Sequence, residues 1–200
     1  GAAPDTKQGA FPEMSAIAER DRIVRQRRFV GQALSAALVA VTVIGLLGLV
    51  GGFRLNLTPS AALGLWRIAP LELPVTIGQS VFVCLPNRPA MQVAREHGYL
   101  RAGLCSGGNA PLIKRVVALA GQRVVISDHL LVDGVRIEAS HLLKHDAKGR
   151  PLLHDTGGIV PPGMVYLFSP YPGSWDSRYF GPVPASGILG LAQEIWTYAP

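Results

Sequence analysis

The pattern of hydrophobic positions divides the 200-residue chain into an apolar run and a patterned domain. Residues 29–53, FVGQALSAALVAVTVIGLLGLVGGF, contain no charged residue. A bilayer core of about 30 Å is crossed by about 20 helical residues, so this run predicts a single transmembrane anchor. A cleaved signal peptide is the alternative, but its apolar core would hold only about 7 to 15 residues and a small-residue cleavage site would follow. Residues 1–28 are predicted to be a basic tail, and the first 19 of them have no sustained period, as in a flexible segment.

After the run, short apolar and β-branched segments alternate with turn residues. They predict a mainly β domain over residues 54–200, an antiparallel and partly closed barrel. Asp133-Gly134 is a strong signal for a two-residue hairpin turn. Residues 88–98 predict the one helix of this domain, and residues 139–160 predict an exposed loop. The predicted strands lie within residues 80–85, 111–119, 123–127, 129–138, 161–169 and 187–198.

Composition and charge place the chain at a membrane. It is 48% hydrophobic and only 16% charged, with a net charge of +6. Five arginines lie within residues 20–28, directly before the apolar run, and this predicts that the N-terminus is cytoplasmic and the domain periplasmic, anchored in the inner membrane. The other basic residues are scattered, so nucleic acid is not predicted as a partner. In an oxidising compartment Cys84 and Cys105 can form a disulfide, and two free buried thiols are the alternative.

The histidines do not suggest a metal or cofactor. His141, His145 and His154 lie in the predicted loop without the HExxH pattern of zinc peptidases, and we expect no metal site. Composition does not exclude a Ser-His-Asp triad, but none of the five histidines has a recognisable catalytic context. A lysine is the alternative base for a serine nucleophile.

Lys114 is the lysine that lies inside a predicted strand, PLIKRVVAL. The side chains predicted to share its face are those of Leu112, Val116 and Ala118. Burial on that apolar face would lower the pKa of Lys114, so that a neutral amine could accept a proton from a serine such as Ser60. Arg115 is predicted to point to the opposite face. The alternative is that Lys114 reaches water from a strand edge.

Three segments in this order carry a family resemblance. NLTPSAALGLWRI (56–68), the lysine strand and SPYPGSWDSRYFGPV (169–183) resemble the type I signal peptidase family, and they look closest to its TraF-type members from conjugative transfer systems. The paired cysteines around EHGYLRAGLCSGG also resemble the TraF branch. The resemblance implies that Ser60 is the nucleophile and Lys114 the general base.

The resemblance also implies supporting roles. The Thr58 hydroxyl and the Ser60 backbone N–H would form the oxyanion hole, and Ser174 would orient the lysine amine. Asp176 and Arg178 match an acidic–basic pair near the site, for which bracing of the Ser174 loop as an ion pair is one interpretation. A direct role of Asp176 in a ligation is the other.

The sequence departs from the family pattern in two segments. Ala62 stands where these families usually have proline, and LAGQ (119–122) replaces the usual Leu-Pro-Gly-Asp. Loss of the proline loosens the turn without removing a reacting group. Leu65 and Trp66, beside the serine, are predicted either to enter the membrane interface or to pack in the core.

The resemblance therefore implies a membrane-anchored serine endopeptidase that acts on a protein substrate. In the TraF branch this would be a membrane-embedded pilin precursor, cleaved and in some cases cyclised by an amine of the same chain, with other conjugation or secretion components as partners. A general signal peptidase for exported proteins is the alternative within the class. A non-catalytic membrane-tethered β module and a soluble Ser/Lys autoprotease are alternatives from other classes, and the apolar run disfavours the second.

Overall fold

The structure, a computed structural model, describes residues 11–72 and 74–199, which divide into two compact units at Val50. The first unit is a single helix, α1 (Phe11–Val50). Its portion Glu19–Val50 is long and apolar enough to cross a membrane, because it contains an 18-residue window with a mean hydropathy of 2.5 and no burial within the structure.

The bounds of α1 differ from the prediction at both ends. The prediction of a flexible segment is wrong from Phe11 onward, because alanine, glutamate and arginine, which favour helix, are frequent before the apolar run. The part of the predicted tail before Phe11 lies outside the described residues. The helix ends at Val50 rather than at residue 53, since Gly52 adopts a φ of 79° and Phe53 begins a strand.

The second unit is a mainly β domain, as predicted. In chain order its strands are β1 (Phe53–Asn56), β2 (Leu63–Ala69), β3 (Ser80–Val83), β4 (Leu112–Leu119), β5 (Arg123–Ile126), β6 (Leu130–Val132), β7 (Val135–Arg136), β8 (Gly158–Ile159), β9 (Met164–Phe168), β10 (Val183–Pro184) and β11 (Ile188–Tyr198). Antiparallel pairing joins the described strands into a seven-stranded sheet, β1-β2-β11-β3-β4-β9-β10, and a four-stranded sheet, β7-β6-β5-β8. The outer strands of each sheet do not pair with each other, so among the described strands there is no closed barrel.

Several local predictions are confirmed. The predicted helix is α2 (Pro89–Glu96), followed by Gly98 with a φ of 82°. Asp133 and Gly134 both have positive φ and join β6 to β7, as a two-residue hairpin requires. The structure adds β1 and β2, which the sequence did not predict, on either side of the serine segment. A second short helix, α3 (Ser177–Phe180), follows β9.

Strand β4 lies at the centre of the packing. Val116 belongs to one apolar cluster and Leu112 packs against it. Ala118 instead packs in a second apolar cluster with residues of β5 and β6. The prediction that Ala118 shares the face of Lys114 is wrong, because the pairing with β9 shifts register between Val116 and Ala118 and reverses the alternation. A one-residue shift of this kind moves the following side chains to the other face.

Trp66 packs in the core of the domain. Its side chain is 3% exposed, contacts Phe82 and Ile113 in a third apolar cluster, and donates its indole N–H to the Ala62 carbonyl at 2.8 Å. The core alternative is therefore the correct one for this tryptophan.

Candidate active site

Lys114 is buried in the middle of the large sheet. Strand β4 pairs with β3 on one side and β9 on the other, so Lys114 does not reach water from an edge, and it is only 3% exposed. Its Nζ donates a hydrogen bond of 2.7 Å to the Ser174 hydroxyl. Burial lowers the pKa of Lys114 to about 8, while the Asp176 charge acts to raise it and the Arg178 charge to lower it. A neutral amine is thereby accessible near physiological pH.

Ser60 lies in the connection between β1 and β2. Its carbonyl accepts a hydrogen bond of 2.6 Å from the Ser169 hydroxyl, which follows β9. Among the described residues, none accepts a hydrogen bond from the Ser60 hydroxyl or its backbone N–H, and Ser60 and Lys114 are not hydrogen-bonded to each other. Both donors of Ser60 are therefore free to engage a substrate.

Two cavities bring Ser60 and Lys114 together. One has a volume of about 420 Å³ and continues past Leu112 and Ser174, and the other has a volume of about 370 Å³ and continues past Phe168. Both residues line both cavities, so a chain that filled the two would pass across this pair. Space on both sides of a candidate nucleophile is what an endopeptidase requires, because its substrate continues in both directions.

The hydrogen bonds of Thr58 are directed at Asn56. Its hydroxyl donates to Asn56 Oδ1 at 2.7 Å, and its backbone N–H donates to the same oxygen at 3.1 Å. An oxyanion-hole role for Thr58 therefore requires its hydroxyl to turn from Asn56 to the substrate. Ser60, by contrast, has its N–H available in the geometry observed.

Asp176 and Arg178 form a fully buried ion pair. Nε and Nη2 of Arg178 lie 2.8 and 2.9 Å from the two carboxylate oxygens, and Asp176 also accepts from the Ser169 N–H at 3.1 Å. Arg178 Nη2 donates to the Ser174 carbonyl at 3.3 Å, so the pair holds both ends of the 169–174 loop. This is the geometry of the bracing interpretation, and neither residue lines the cavities that contain Ser60.

Cys84 and Cys105 form the predicted disulfide, with Cα atoms 5.5 Å apart. The bond joins the end of β3 to the loop after α2. Arg101 and Ala110 of this loop line the 420 Å³ cavity, so the disulfide holds one wall of it.

The structure adds three residues to the site. Asn56 holds the serine turn, Ser169 holds the Ser60 carbonyl, and Tyr99 lines the larger cavity and donates its hydroxyl to Asp146 at 2.6 Å. The Asn-x-Thr spacing, typical of an Asx turn, was a usable signal for Asn56. No local pattern marked the other two, because their partners are distant in sequence.

The sequence of this chain is similar to those of known proteins. A profile of the family described as "Signal peptidase, peptidase S26" matches residues 26–197. A protein of Sinorhizobium fredii named probable conjugal transfer protein TraF is 52% identical over 88% of this chain and 95% of its own length. The conjugal transfer protein TraF of Agrobacterium tumefaciens is 52% identical over 84% of this chain and 95% of its own length. A signal peptidase I of Bacillus caldolyticus is 31% identical over 43% of this chain and 54% of its own length.

Proposed function

Because the chain belongs to the signal peptidase family, peptidase S26, we propose that it is a membrane-anchored serine endopeptidase of conjugative transfer. Ser60 is the nucleophile and Lys114 the general base. One observation carries this assignment: a buried amine, held by Ser174 and with a pKa lowered to about 8, shares two cavities with a serine hydroxyl that has no described acceptor.

In the proposed reaction the neutral Lys114 amine accepts the proton of the Ser60 hydroxyl while Ser60 Oγ bonds to the scissile carbonyl carbon. The C–N bond then breaks, and the Lys114 ammonium returns the proton to the leaving amine. The product is an acyl-enzyme, which water resolves by hydrolysis. With a pKa of about 8, about one lysine in ten is neutral at pH 7, whereas at the ordinary value of 10.5 almost none would be.

The Ser60 backbone N–H is the proposed main donor to the oxyanion that forms on the carbonyl oxygen. This N–H donates a hydrogen bond to none of the described acceptors, which supports this role. The Thr58 hydroxyl is the second donor and exchanges Asn56 for the oxyanion as charge develops. Loss of a single donor of this kind costs about 10²- to 10³-fold in turnover in a related chemistry.

The proposed substrate is the membrane-embedded precursor of a conjugative pilin. The support is the name of the relatives, conjugal transfer protein TraF, together with a helix that can hold the chain in a membrane. An amine of the precursor itself can replace water in resolving the acyl-enzyme and would yield a cyclic product. A general signal peptidase would instead act on exported proteins.

The proposed location is the inner membrane, with the N-terminus in the cytoplasm and the domain in the periplasm. Five arginines before the apolar run support this orientation. The disulfide supports it independently, because such bonds persist in oxidising compartments.

The test uses the full chain in detergent, incubated with a purified conjugative pilin precursor and, separately, with an exported precursor that carries a signal peptide. Intact mass separates hydrolysis from cyclisation, since the two products differ by one water. We expect processing of the pilin precursor, and no processing by Ser60→Ala or Lys114→Met.

Matched controls are Ser106→Ala and Lys144→Met, which make the same changes at exposed positions. Both should process the precursor at the rate of the unmodified protein. Full activity of Ser60→Ala would rule out Ser60 as the nucleophile. Absence of processing by the unmodified protein would favour a non-catalytic module, and processing of the exported precursor alone would favour a general signal peptidase.

A further inference from the structure

The side chain of Asn56 occupies the centre of the turn that carries Ser60. Asn56 is the last residue of β1 and is half-buried. Its Nδ2 group donates to the carbonyls of Thr58 at 2.9 Å, Ala61 at 3.1 Å and Ala62 at 2.9 Å. Its Oδ1 accepts from Thr58 twice, through the backbone N–H and the hydroxyl.

These five contacts determine the orientation of the amide. Three carbonyl partners require the NH₂ group on one side, and two N–H and O–H partners require the oxygen on the other. One side chain therefore replaces the backbone ladder that β1 and β2 lack between Asn56 and Leu63.

The contacts also restrict the peptide groups around the nucleophile. The Thr58 and Ala61 carbonyls on either side of the Pro59–Ser60 segment are held by Asn56, and the Ser60 carbonyl is held by Ser169. With those carbonyls engaged, the Ser60 N–H is left as a donor without a described partner. Its direction is then set by the turn rather than by the substrate.

We propose that Asn56 is a positioning residue, which pre-orients the Ser60 N–H for the oxyanion. This inference rests on the proposed function. Asn56 does not touch the reacting atoms, and it acts by holding the turn in the conformation that the transition state needs. Donors that are oriented in advance need no reorganisation when the charge develops.

The proposal predicts a specific kinetic pattern for Asn56→Ala. Because the oxyanion exists only in the transition state, kcat should fall about 10- to 100-fold while KM stays within about twofold. The acid limb of the pH–rate profile should keep its position, because the amine of Lys114 is untouched. A second variant, Ser169→Ala, releases the same turn from its other side and should lower kcat in the same way.

The experiment measures kcat and KM of the full chain in detergent with the pilin precursor, at a temperature where each variant is fully folded by tryptophan fluorescence. The rate of labelling by a fluorophosphonate probe gives a second readout that needs no precursor. Asn87→Ala is the matched control, since Asn87 is exposed and lies outside the cavities that contain Ser60. It should leave both readouts unchanged.

If Asn56→Ala does not fold, Asn56→Asp replaces it, because aspartate keeps the acceptor for Thr58 and removes the donor to the three carbonyls. A kcat within twofold of the unmodified protein in folded variants of Asn56 and Ser169 would overturn the inference. So would a raised KM with unchanged kcat, which indicates a role in substrate binding. Failure of the proposed function is distinguishable, since the unmodified protein would then show neither processing nor labelling, or Ser60→Ala would retain both.

Discussion

Replacing Lys114 with methionine should remove the general base. It should also remove the free-energy cost of burying the Lys114 ammonium in the folded protein. Methionine is unbranched and of similar length, so it can occupy the same apolar space. The ordinary pKa of lysine is 10.5 and that of folded Lys114 is about 8, because burial disfavours the ammonium. The difference of about 2.5 corresponds to about 3 kcal/mol of folding free energy.

The sign of the pH dependence follows from the protons bound in each state. Between pH 8 and 10.5 the unfolded chain binds more protons at Lys114 than the folded chain, so the stability of the unmodified protein rises with pH in that window. Below pH 8 both states are protonated and the full cost is present. Above pH 10.5 both are neutral and the cost has disappeared.

Lys114→Met should therefore be inactive, and its stability relative to the unmodified protein should be about 3 kcal/mol more favourable at pH 7 than at pH 11. The substitution also leaves the Ser174 hydroxyl without its donor, which costs about 1 to 3 kcal/mol. That cost is the same at every pH. The test is therefore how the difference in free energy of unfolding between Lys114→Met and the unmodified protein changes with pH, and not how large that difference is at one pH.

The assay is urea unfolding of the full chain in detergent, followed by the fluorescence of the three tryptophans, all of which lie in the β domain. Lys144→Met is the control, because it makes the same substitution at an exposed position. A difference for Lys114→Met that stays constant from pH 7 to 11 would show that the amine is not desolvated in the folded protein, and the reasoning about the base would fail with it.

Three further predictions follow from the site. Turnover of the unmodified protein should rise with pH through about 8 as Lys114 loses its proton, and a flat pH–rate profile between about pH 6 and 9 would contradict a lysine base. Asp176→Asn leaves the buried Arg178 without its countercharge and should lower the free energy of unfolding by about 3 to 5 kcal/mol in the urea assay, whereas a loss below about 1 kcal/mol would exclude the bracing role. Reduction of the disulfide, whose cysteines are 21 residues apart, should lower the same free energy by about 3 kcal/mol, and an unchanged urea midpoint would contradict it.

Much of the secondary structure of this protein, and its family, can be predicted from local patterns in the sequence. The apolar run indicated the long helix, and Asp133-Gly134 indicated the hairpin, because a short segment is enough to define a helical run or a turn with positive φ. The order of the serine, lysine and aspartate segments indicated the family, which the comparisons confirm. Burial of Lys114 was one of two alternatives from the sequence, since Leu112 and Val116 on its face are apolar. The position of β4 between β3 and β9 decided between them.

Only the tertiary structure decided how the candidate nucleophile is held. Ser169 reaches the Ser60 carbonyl across 109 positions, and Ser174 reaches Lys114 across 60. Strand β11 enters the sheet between β2 and β3 although it comes last in the chain, and a register shift in β4 turns Ala118 to another face. Periodicity describes neighbours within one element, whereas these features depend on which elements pair and in which register, a choice made by the packing of the whole domain.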